Sequence, residues 1–261
     1  MYKKLVLIAV CFLLLARPVS AQSANFLQSL DSKITTYRSL INDYRSKEDQ
    51  FSIAANQYYN LKTLRSQEEA VIAARVLFVS RADVMISYLE TLKFALTEGT
   101  GVELSRRDVL IAEIDNFIIG LKVHRQKAEI ATDRLLIEEQ ALYFENLEKS
   151  LISVIYRALS LYKIGQMQGT LDQVKLVQTA LTEYIANSNL SATAKNEKQR
   201  GMDELERNLT EIQLNITNTL VIYDEEIKRF DSGSFRTIQT SLSKGFTILT
   251  QTINFTKELA Q

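Results

Sequence analysis

The stretch from Gln67 to Glu98 constrains the fold most, because its apolar residues keep a helical spacing over its whole length, with Arg81 as the exception. At about 100° per residue, one half of its helical wheel is apolar and the other half is charged. The apolar half consists of Ala70, Ala74, Leu77, Phe78, Met85, Tyr88, Leu89, Leu92 and Leu96. A face this wide is buried only by two or more neighbours, so the stretch predicts a helical bundle.

Local signals at both ends of this stretch predict where the helix begins and ends. Ser66 with Glu69 fits a capping box, and Gly99 occupies the position of a left-handed C-terminal cap. Only a few residues, 99–104, separate it from the next apolar pattern, and such a short connection favours an antiparallel neighbour.

Helical periods continue through the rest of the chain, and no segment sustains the alternation of a strand. We therefore predict an all-α fold, an elongated antiparallel helical bundle of long coiled-coil-like helices with no β-sheet. In the first helix, aromatic residues recur every seven positions at Tyr37, Tyr44, Phe51 and Tyr58. Such a ladder is typical of a packed core seam, which we favour, and also of a platform for sugars or peptides.

Breaks in the pattern divide the chain into further helices. We expect one break near Thr132 and Asp133, where a helix N-cap fits, and a loop at 187–191. Gly165 and Gly169 predict a kink or a short turn between them. One bundle over residues 22–261 is the simplest organisation, and a subdivision near 166–192 is left open.

The first 21 residues have the composition of a secretory signal peptide. Two lysines precede an apolar core from Leu5 to Ala16, and small residues end the segment at Ala21. The apolar core is too short to span a bilayer, and no other run approaches that length. We therefore expect an exported protein, in the periplasm or extracellular space of a bacterium, with no membrane span after cleavage.

The composition of residues 22–261 argues against several classes of function. Cleavage leaves 28 basic against 31 acidic residues, so the broad basic surface of a nucleic-acid-binding protein is not expected. The remaining chain has no cysteine, and His124 is its single histidine. Thiolate and multi-histidine metal sites are thereby excluded, and we predict no metal, no cofactor and no catalytic residue.

These observations favour a non-catalytic exported protein that acts in binding or as a structural component of the cell envelope. The expected partner is another envelope protein, a polymer or a second copy of the chain. The alternative is an extracytoplasmic ligand-sensing bundle that lacks its own transduction segment, an analogy of architecture alone.

Three polar residues interrupt the apolar seams of three successive helices: Glu48, Arg81 and His124. If the first hairpin turns near Arg65, Glu48 and Arg81 lie at the same height along the bundle. If the second hairpin turns near Val102, His124 lies at that height as well. We predict that the three form one buried polar layer with a Glu48–Arg81 ion pair, Asp49 being the substitute acid. Such a layer can fix helix register, and it can also serve as a ligand or pH-sensitive site.

Overall fold

The structure is a computed structural model that describes residues 21–188 and 190–260. The predicted signal peptide lies outside the described residues except for Ala21, and its cleavage stays a prediction. The helices are α1 (Ala21–Leu61), α2 (Leu64–Glu98), α3 (Leu104–Glu129), α4 (Arg134–Asn187), α5 (Ala192–Glu226) and α6 (Ser232–Leu259), with a 3₁₀ turn at Ile227–Arg229. The described residues contain no strand, which confirms the all-α prediction; the coiled-coil character stays a prediction.

The long helix α4 connects two groups of helices. Helix α1 packs along α2, α2 along α3, and the first part of α4 against α2 and α3. Helices α5 and α6 pack against each other and against α4. One hydrophobic core follows these contacts from Leu30 in α1 to Leu249 in α6. Each large apolar side chain in it contributes roughly 1.5–3 kcal/mol on burial.

The predicted N-cap of α2 is wrong. Its N-cap is Thr63, and Ser66 is the third helical residue, whose amide donates to Thr63 Oγ1 at 3.2 Å. Glu69 instead accepts a hydrogen bond from Arg65 Nε at 3.0 Å. Lys62, which is left-handed with a φ of 49°, follows the end of α1 directly. Helix α2 therefore begins at Leu64, three residues before the predicted start at Gln67.

The connection between α2 and α3 also differs from the prediction. Gly99 is the C-cap of α2, as predicted, but its backbone is extended, with a φ of −68°, and not left-handed; the left-handed residue is Gly101, with a φ of 76°. Helix α3 then begins at Leu104. The break predicted near Asp133 is confirmed, since the Asp133 side chain accepts the Leu136 amide hydrogen bond at the start of α4.

The short turn predicted as one possibility between Gly165 and Gly169 is wrong, because α4 is helical throughout this segment; the other possibility, a kink, stays a prediction. The two glycines allow the α2–α3 connection to approach the backbone of α4. A Cβ atom on Gly165 would lie 2.4 Å from Val102 Cγ2, and one on Gly101 would lie 2.3 Å from the Gly165 carbonyl oxygen. The glycines therefore allow this close packing. The division near 166–192 stays a prediction.

Candidate functional site

Arg81 and His124 lie in one polar and aromatic layer inside the first group of helices. Helix α2 supplies Arg81 to it, and α4 supplies Phe144. The Arg81 guanidinium carbon lies 3.5 Å from the centroid of the Phe144 ring and 4.6 Å from that of Phe78. The faces of aromatic rings carry partial negative charge, so both contacts stabilise the cation.

His124 is completely buried in this layer. Its ring centroid lies 5.3 Å from that of Phe144 and 5.9 Å from those of Phe78 and Tyr143. Nδ1 is 3.3 Å from Gln140 Oε1, an amide oxygen that only accepts hydrogen bonds, so we assign the imidazole proton to Nδ1. Among the described residues, Nε2 has no hydrogen-bond partner.

The surroundings of His124 keep its imidazole neutral. Burial, together with the positive charge of Arg81, lowers the pKa of His124 to about 4, although the hydrogen bond to Gln140 opposes the change. The pKa of an ordinary histidine is about 6.5. His124 therefore becomes protonated only as the pH approaches 4, and not at mildly acidic pH. The neutral form also avoids repulsion between two buried cations.

Glu48, the third residue of the predicted layer, is exposed on α1. The half-buried Tyr44 lies close to both Glu48 and Arg81. Burial raises the pKa of Tyr44, the Glu48 charge and a hydrogen bond to Glu48 raise it too, and Arg81 lowers it. The Glu48–Arg81 ion pair itself stays a prediction, and the substitute acid Asp49 is likewise exposed.

The helix register explains why Glu48 is not at the centre of the layer. Tyr37 packs against Tyr88, with ring centroids 5.3 Å apart. In an antiparallel pair, a residue seven positions after Tyr37 faces one seven positions before Tyr88, which places Tyr44 opposite Arg81. Glu48 is one helical turn closer to the hairpin. The cause is the turn, which lies at Lys62 and Thr63 and not near Arg65.

A second polar cluster, which sequence patterns did not reveal, joins α3 to α4 and α5. Arg157 donates from Nη1 to Glu113 Oε1 at 2.9 Å and from Nη2 to Glu113 Oε2. The Arg157 side chain is only 10% exposed, whereas that of Glu113 is 35% exposed. Tyr223 lies beside this pair, and burial raises the pKa of its phenol to about 12.

Arg106 links the two groups of helices through the same region. Its Nε and Nη2 donate to the two carboxylate oxygens of Asp224 at 2.9 and 2.6 Å, and it also pairs with Glu103. The sequence presents Arg106 and Arg107 as a pair of arginines at a helix start. The structure shows that Arg106 connects α3 to α5 through an acid 118 positions away.

An open groove of about 540 Å³ runs between α4 and α5. Two of its lining residues are hydrogen-bonded to each other, because Lys175 Nζ donates to Gln213 Oε1 at 2.9 Å. Gln213 Nε2 also donates to Oε1 of Gln168, which lies outside the lining, at 3.2 Å. The remaining lining residues are Gln178, Thr179, Glu206, Leu209, Thr210, Leu214 and Thr217.

Two further features bear on function. Within residues 21–188 and 190–260, no group of three or more acidic, histidine or cysteine side chains is arranged to hold a metal ion. In the same residues, no helix is long and apolar enough to cross a membrane.

The chain matches no family model, no curated protein and no solved structure.

Proposed function

We propose that this chain is a non-catalytic, exported helical-bundle protein that acts in the cell envelope, either by binding a partner or as a structural component. The closed environment of His124 carries this proposal. Its imidazole is fully buried against Phe78, Tyr143 and Phe144, so a substrate has no access to the chain's single histidine. A buried, aromatic-lined layer of this kind is suited to fixing helix register.

The expected partner is an envelope protein, a polymer or a second copy of this chain. Light scattering on protein purified from the native host tests the last of these, since an oligomer would give a mass above that of one chain. Chemical crosslinking in intact cells, followed by mass spectrometry, tests the first. The proposal predicts a reproducible crosslinked partner, and turnover of a substrate that is lost on His124→Ala would contradict it.

Export requires a separate test. Mass spectrometry of protein from the native host is expected to give a mature N-terminus at Gln22, in the fraction released from the envelope. A chain that retains its first residues in the cytoplasmic fraction would contradict export, while a role in binding would remain open to the crosslinking test.

The α4–α5 groove favours a second candidate, a ligand-sensing bundle. Its amide, hydroxyl and charged groups, including Lys175, Glu206 and Gln213, could hold a polar molecule. A ligand that binds only the folded state raises the melting temperature by mass action. Sensing predicts that a screen of polar metabolites finds such a compound and that Lys175→Ala abolishes the shift, whereas Lys93→Ala, on the opposite group of helices, preserves it.

A further inference from the structure

We draw no further inference here: the strongest candidate, the apolar surface patch that Val109, Ile119, Val123 and Ile130 expose along the outer face of α3, carries nothing, because nothing in the structure shows what covers it.

Discussion

At the scale of single residues, protonation of His124 links stability to pH. Burial and the charge of Arg81 lower its pKa to about 4 in the folded chain, whereas its pKa in the unfolded chain is about 6.5. Below that pH the unfolded chain binds a proton that the folded chain excludes. The free energy of unfolding therefore falls as the pH decreases toward about 4, by up to about 3 kcal/mol.

The variant His124→Phe isolates this contribution from that of the carboxylates, which titrate in an overlapping range. Urea unfolding measured at several pH values between about 7 and 4 should show a shallower decrease for the variant than for the unmodified protein. Parallel pH profiles would contradict the expected link between His124 and stability.

The Glu113–Arg157 pair should respond unequally to loss of its two members. Arg157 is 10% exposed and Glu113 35%, so only the carboxylate can hydrate when its partner is removed. Glu113→Leu leaves a buried cation and should destabilise the fold by about 3–5 kcal/mol. Arg157→Met fills similar space with an uncharged chain and should have a smaller effect. Urea unfolding of both variants measures the difference, and equal losses would contradict the asymmetry.

At the scale of helices and turns, an alanine at Gly165 has two opposing effects on stability, one through helix propensity and one through packing. Alanine at this position would favour the helix by about 1 kcal/mol. Its Cβ would however lie 2.4 Å from Val102 Cγ2 and 3.0 Å from the Val102 backbone, and such overpacking costs about 1–3 kcal/mol or more. We expect Gly165→Ala to lower the melting temperature, as followed by circular dichroism.

Gly120 offers the control for this prediction. A Cβ atom there would meet only the ends of two side chains, Leu147 Cδ1 at 3.1 Å and Tyr143 Oη at 3.4 Å, and these can move aside. Gly120→Ala should therefore raise stability, by up to about 1 kcal/mol, through helix propensity alone. If both alanine variants stabilise the protein, helix propensity alone determines the effect and close packing of the α2–α3 connection is not limiting.

Much of the helical architecture could be predicted because apolar periodicity and caps are local signals. Arg81 and His124 were identifiable because each interrupts an apolar seam. Glu48 is exposed on α1 because the hairpin turns at Lys62 and Thr63 and not near Arg65, and a shift of the turn along the chain moves the facing residue twice as far. The Arg106–Asp224 pair joins residues 118 positions apart, and no local pattern reports such a contact.

At the scale of the whole molecule, α4 decides whether the two groups of helices unfold together. The same 54-residue helix packs against α2 and α3 and against α5 and α6. Arg106 adds a direct connection between the groups through Asp224. Because the backbone hydrogen bonds of α4 continue across the junction, we expect a single unfolding transition, with far-ultraviolet circular dichroism and tyrosine fluorescence coinciding.

A proline at Gln173 tests this coupling directly. Gln173 is exposed on α4, just beyond Gly169, where the α2–α3 connection contacts the helix. Proline removes a helical hydrogen bond and clashes with the preceding turn, at a cost of about 3 kcal/mol or more. Gln173→Pro should therefore lower the melting temperature, whereas Gln173→Ala should change it little. Because α6 also contacts α4 before this position, with Phe235 stacked on Tyr156, the proline variant should still unfold in one transition, and two separate transitions would contradict the coupling.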